Sequence, residues 1–255
     1  MKAKIIYGSD TGNTDYVIET YFLNELNGIF SLAIFSRKFT RRLQCLHLTI
    51  SLFNLINVMK NNLLYYSSIM NERAKTILDF WFVQSDMKDW FKKNEEFDNK
   101  IRALFLNDLK KAINNEYDDW QDTPEECVAL VILLDQFSRN LFRNSPNAFK
   151  QDYKTRLIVN EAIDRGYLEE LDQIKIHFLL LPLVHSEDIS DHEFGHKLVD
   201  TYLKNFEEYD AIKKTWNFHS IPIKRFGRYP HRNDILKRKS TQEEIDFLKL
   251  PNTSW

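Results

Sequence analysis

From residue 71 onward the apolar positions recur at helical spacing, and no stretch alternates as a half-buried strand does. Ala74–Phe82 reads as a short amphipathic helix rich in aromatics, and Trp90-Phe91 starts or joins the next element. Phe97, Ile101, Leu104, Phe105, Leu109 and Ala112 mark one face of a long helix whose intervening positions are charged. Asp118–Asp122 reads as a turn, and Trp90 and Trp120 as packing anchors. Thr123-Pro-Glu-Glu126 predicts a helix start: Thr123 caps, Pro124 suits the first helical position, and Glu126 completes a capping box. The helix that follows, through Val128, Leu130, Val131, Leu133, Leu134, Phe137 and Leu141, is apolar nearly all round, which places it at the centre. Ser145-Pro146 predicts another start, for a helix stopped by Gly166. Asp172 caps a helix to about Leu181, where Pro182 disturbs it. Two more helices run from Asp191 to Phe206 and from Tyr209 to about Ser220. Ser240-Thr-Gln-Glu243 is a second capping box, before a short closing helix. The predicted fold class is all-α, with successive antiparallel helices stacked in pairs.

Residues 1–70 read differently. Lys4–Tyr7 is a short buried strand, Gly8-Ser-Asp-Thr-Gly-Asn-Thr14 a small polar loop, and Asp15 the start of a helix. A strand, such a loop and a helix N-terminus together hold a phosphate. Over about twenty residues this resembles flavodoxin, whose first strand runs into a loop that binds the FMN phosphate. Nothing after Tyr21 supplies the further parallel strands a flavodoxin needs. The reading of 1–21 is therefore a truncated flavodoxin-like fragment, with no FMN or other cofactor expected. Residues 22–70 hold almost no acids, and Leu43–Val58 keeps neither a period of two nor one of 3.6. Three readings stay open for them: a helical appendage, a membrane-associated helix, or a truncated start joined to a downstream gene whose product begins at Met70.

Formal net charge is −2, so the overall field argues for neither a nucleic-acid nor a membrane partner. Basic residues do cluster between Lys224 and Lys239. The two cysteines, Cys45 and Cys127, form no metal spacing and suggest a reducing, cytoplasmic setting. The first residues do not have the pattern of a secretory signal.

Polar chemistry concentrates in three stretches: Asp135-Gln-Phe-Ser-Arg-Asn140 with Arg143 beyond it, His185-Ser-Glu-Asp188, and Arg225-Phe-Gly-Arg-Tyr-Pro-His-Arg-Asn233. Asp135, Arg139 and Arg143 fall four apart on one helical stripe. With Leu78-Asp-Phe-Trp-Phe82, Trp90-Phe91, Leu181-Pro and Ser240-Thr-Gln-Glu-Glu244, taken in order over residues 72–250, these blocks resemble the bacterial family catalogued as domain of unknown function 924. That resemblance implies a TPR-like all-helical fold and names no reaction or ligand.

The candidate site collects Asp135, Arg139, Asn140, Arg143, His185, Glu187, Arg225, Arg228, His231, Arg232 and Asn233 around one concavity. Guanidinium groups suit a carboxylate or phosphate, acids orient them, and His185 or His231 moves protons near neutral pH. Cations outnumber acids in this set, which favours a small anionic ligand. The competing reading makes the same residues a structural network in a protein- or peptide-binding scaffold. His192-Glu-Phe-Gly-His196 also fits H-E-x-x-H, the helical zinc pattern, without the spacing of a third ligand. Neither a metal nor nucleic acid belongs to the leading reading.

Overall fold

The computed structural model describes residues 2–6, 17–23, 31–35, 70–251 and 253. Two units divide at Ile69 and Met70. In the first, three strands, β1 (Lys2–Ile6), β2 (Val17–Leu23) and β3 (Ser31–Phe35), form a sheet in the order β1-β2-β3. Both pairings are antiparallel, with Ile5 opposite Ile18 and Tyr21 opposite Ala33. The strand expected near Lys4 is there. The helix expected from Asp15 is not: Val17–Leu23 is rich in β-branched and aromatic residues and is a strand. Its antiparallel pairing is the reverse of the parallel, crossover-connected order of a flavodoxin start. The Gly8–Thr14 loop and the Leu43–Val58 run lie outside the described residues.

The second unit is helical. Its chain order is α1 (Glu72–Phe82), α2 (Met87–Phe91), α3 (Glu95–Ile113), α4 (Pro124–Val131), a π-helical turn (Ile132–Phe137), α5 (Ser138–Leu141), α6 (Asp152–Asp164), α7 (Gln173–Val184), α8 (Ile189–Tyr202), α9 (Tyr209–Phe226) and α10 (Gln242–Phe247). Every residue from Cys127 to Ser138 is buried, so the apolar helix is the central one. An aromatic cluster packs against it. Phe80 of α1 meets Phe105 of α3 at 4.9 Å, and Phe105 meets Phe137 at 5.1 Å. Trp81 and Trp90 both meet Phe178 of α7 edge-on, and the Trp90 indole N–H donates to the Trp81 carbonyl at 3.0 Å. Each fully buried ring removes enough apolar area to contribute roughly 1.5–3 kcal/mol. Trp120 is buried and stacked on Tyr117 at 4.0 Å, an anchor as expected.

The caps carry small corrections. Thr123 makes no side-chain cap bond, and the Glu126 carboxylate that would complete the box accepts from the Asn71 backbone N–H at 2.5 Å. The C-terminal box sits one residue later than the sequence suggests, on Thr241 and Glu244. Ser240 instead accepts from Asn233, and Glu243 pairs with Arg225. Ser145-Pro146 opens only a single 3₁₀ turn, Pro146–Ala148, ahead of α6. Pro182 and Pro222 sit inside α7 and α9, so both helices run past the expected ends. Gly166 stops the chain after α6 at φ 82°, a left-handed conformation that suits glycine.

Gly195 fixes the approach of α8 to α9. A Cβ built there would lie 2.3 Å and 2.6 Å from two ring atoms of Trp216, itself fully buried. Gly195→Ala should therefore destabilise the helical unit by about 1–3 kcal/mol through overpacking. A urea melt of this variant checks it, and an unchanged midpoint would contradict the packing described.

Candidate functional site

The π-helical turn puts Asp135 at a fully buried position on the central helix. A carboxylate out of water needs charged or hydrogen-bonding partners. Its Oδ1 meets Arg139 Nη1 at 2.9 Å and His185 Nδ1 at 2.9 Å, and its Oδ2 accepts from the Gln136 amide at 2.5 Å. Arg139 also meets Asp152 of α6, at 3.1 Å. Asp152 in turn takes Arg232 Nη1 at 3.1 Å, and Arg232 Nη2 donates to the His185 carbonyl at 3.1 Å. Asp135, Arg139, Asp152, Arg232 and His185 thus close a ring that ties the central helix, α6, the end of α7 and the C-terminal segment together.

Burial alone would raise the Asp135 pKa, but Arg139 and then His185 outweigh it and hold the carboxyl at about 2. Burial, with Arg139 beside it, lowers the His185 pKa against the opposing pull of Asp135. A neutral imidazole facing an ionised carboxylate through Nδ1 carries its proton on Nδ1 and keeps Nε2 as a hydrogen-bond acceptor. The His185 side chain is 14% exposed and lines a cleft of about 570 Å³.

Beside His185 the same cleft is lined by Lys150, Asp152, Arg156, Glu187 and Arg232. Arg156 is held by Asp191 at 3.1 Å and donates to Ser186 at 2.7 Å. Glu187 takes Arg238 through both oxygens, at 2.6 Å and 2.9 Å, and accepts from the Tyr229 backbone at 2.8 Å. The Arg232 guanidinium lies 4.4 Å from the Phe149 ring and 4.5 Å from the Tyr229 ring, two cation–π contacts that help keep it in place. Lys150 is exposed and makes no ion pair among the described residues.

Of the sequence candidates, Asp135, Arg139, His185 and Arg232 belong to the ring, and Glu187 borders it. The others lie apart. Arg143 and Asn140 share Asp98 of α3, at 2.9 Å and 2.8 Å. Arg143 leaves the stripe it was expected to share with Asp135 because the helix ends at Leu141. Arg225 pairs with Glu243 at 2.6 Å, and Arg228 with both oxygens of Glu244, at 2.6 Å and 2.8 Å. Asn233 donates to Ser240 at 3.1 Å. His231 packs 5.3 Å from the Tyr229 ring, and burial and then Arg232 push its pKa down to about 3. Asp152, Arg156, Lys150 and Arg238 were missed. Lys150, Asp152 and Arg156 share the polar stretch Lys150-Gln-Asp-Tyr-Lys-Thr-Arg156 leading into α6, and Arg238 the basic run before Lys239, where nothing local singles out any of them.

The H-E-x-x-H histidines turn to structural partners. His192 Nε2 lies 2.8 Å from the Ser186 carbonyl and its Nδ1 3.0 Å from Ser220 Oγ; His196 Nε2 lies 2.9 Å from the same hydroxyl. Both nitrogens of His192 are thus engaged, and Glu193 is exposed. Among the described residues no three His, Cys, Asp or Glu side chains stand where they could hold a metal ion. Burial pushes the Cys127 thiol up to about 12, away from nucleophilic use. No described helix is long and apolar enough to cross a membrane.

Fold and site define an all-helical unit with an internally braced, charged cleft. The chain belongs to the family described as a bacterial protein of unknown function (DUF924), which matches residues 77–252. The helical unit is similar to the solved structure of a protein of unknown function from Agrobacterium tumefaciens. That protein is 34% identical, with a TM-score of 0.63, over 69% of this chain and 96% of its own. No curated protein matches the chain.

His177, on α7, offers a test of how tightly this region excludes charge. Its ring packs 5.3 Å from Phe178, its Nδ1 is buried without a hydrogen-bond partner among the described residues, and burial lowers its pKa to about 4. The unfolded chain protonates this residue near its ordinary pKa of 6.5. Between that value and about 4 the unfolded state therefore binds more protons, and stability falls as pH falls. The loss attributable to His177 is about 2 kcal/mol by pH 5. His177→Leu should flatten the difference in urea stability between pH 7 and pH 5 by about that amount; an unaltered difference would contradict the assignment.

Proposed function

We propose that the cleft binds a small anion or anionic group. The observation that carries this reading is the charge of its wall. Lys150, Arg156 and Arg232 face Asp152 and Glu187, and Lys150 is the cation left over. The ring behind the wall fixes Arg232 before any ligand arrives, so little ordering cost remains to be met on binding. Neutral His185 adds a hydrogen-bond acceptor through Nε2 without adding charge. Guanidinium and ammonium donors at one wall suit a carboxylate or phosphate oxygen.

A scaffold reading also has its own observation. Arg143, Arg225, Arg228 and Arg238 are committed to acids that join separate elements, and these four serve the fold in either case. We place binding at Lys150, Arg156 and Arg232, and bracing at the other arginines.

Thermal melts of the full chain with and without inorganic phosphate or acetate test this. At ten times Kd a bound anion stabilises by about 1.4 kcal/mol, which raises Tm by roughly 3–5 °C in a chain of this size. Lys150→Ala should leave the unliganded melt unchanged and remove most of that rise. No rise with either anion, or an equal rise in Lys150→Ala, would contradict the reading.

A further inference from the structure

The anion is only part of what the cleft accommodates. Its volume of about 570 Å³ lies in the range of whole small-molecule sites and far exceeds a bare oxyanion. Pro146, Phe149, Tyr153 and Leu236 line it next to the cations. Tyr153 is 64% exposed, an unusual position for a large aromatic, and the Arg156 guanidinium lies 5.4 Å from its ring. Phe149 likewise stands beside the Arg232 guanidinium. Each cation of this wall that is held in place therefore has an aromatic neighbour in the same cleft. An inorganic ion would leave those apolar surfaces facing water, whereas a ligand with an apolar body would cover them.

The charge balance limits the head group. The lining holds three cations against two carboxylates. Adding the groups paired behind them, Arg139, Arg238, Asp135 and Asp191, leaves the same surplus of one. A single negative charge neutralises the site. A polyphosphate would bring several charges against carboxylates already in place, at a cost in repulsion.

We propose that the cleft takes a monocarboxylate with an aromatic or medium-chain apolar body, its carboxylate at Lys150, Arg156 and Arg232 and its body against Phe149, Tyr153 and Leu236. This rests on the anion reading above and narrows it to one ligand class.

Isothermal titration of the full chain at pH 7 with acetate, 3-phenylpropionate, octanoate and inorganic pyrophosphate separates the two. The expected result is binding of 3-phenylpropionate or octanoate at least tenfold tighter than acetate, with pyrophosphate weaker than either. The paired change Tyr153→Ala and Leu236→Ala should erase most of that tenfold advantage and leave acetate affinity unchanged. Lys150→Ala should weaken all the carboxylates together. Equal affinities for acetate and 3-phenylpropionate, or an advantage untouched by the paired change, would overturn the apolar-body assignment and leave an anion site standing. Pyrophosphate binding tightest would overturn the monoanion assignment alone. Binding of none of the four would overturn the anion reading and this one with it.

Discussion

A fully buried carboxylate sets the terms for the rest of the helical unit. Asp135 sits at the centre of the apolar helix, where an unpaired charge would be untenable. The surrounding chain meets that demand with Arg139 one turn on, His185 from the end of α7 and Gln136 next door. The π-helical turn is where the helix departs from regular geometry, and such turns recur where side chains serve special purposes. Because Arg139 also needs Asp152, and Asp152 also takes Arg232, one buried charge propagates into a closed ring spanning four parts of the fold. Rings of this kind favour one arrangement over its neighbours more than they add net stability.

The C-terminal segment is organised by the same logic at lower stakes. Tyr229 is buried, and its hydroxyl donates to the Val184 carbonyl. Its backbone N–H reaches Glu187, which Arg238 grips through both oxygens. Arg228 then holds Glu244, the residue that completes the cap of α10. The segment is thus tied down on one side by the ring through Arg232 and on the other by two arginine–carboxylate forks. The cleft opens between this segment and the start of α6, with walls that the ion pairs hold in position.

Much of this was legible beforehand. The helical period marked the central helix and the aromatic anchors because each rests on local spacing and on residues that seek burial. Asp172 and Gly166 announced their roles through chemistry confined to one turn. The errors came where a side chain had a distant alternative. Glu126 left its cap for Asn71, and Glu243 left its cap for Arg225, choices that local sequence does not record. The small polar loop Gly8–Thr14 suggests a helix from Asp15, although the residues of Val17–Leu23 themselves favour a strand. Dense polar runs single out Asp135, Arg139, His185 and Arg232, which the fold joins in one ring. Asp152, which joins two of the arginines, lies in an ordinary polar stretch, Lys150–Arg156, and only the fold brings it there. Runs of arginine looked like a single binding surface in one dimension. In three dimensions most of them are spent on bracing.

An ionised, buried Asp135 keeps the His185 proton on Nδ1, while burial and the neighbouring Arg139 hold the ring neutral. Long-range ¹H–¹⁵N NMR of the imidazoles, with Asp135→Asn to assign the response, reads this directly. At pH 7 the His185 ring should be neutral and Nδ1-protonated, and it should stay neutral on titration below the ordinary histidine value of 6.5. An imidazolium at pH 7, or a neutral ring protonated on Nε2, would contradict it.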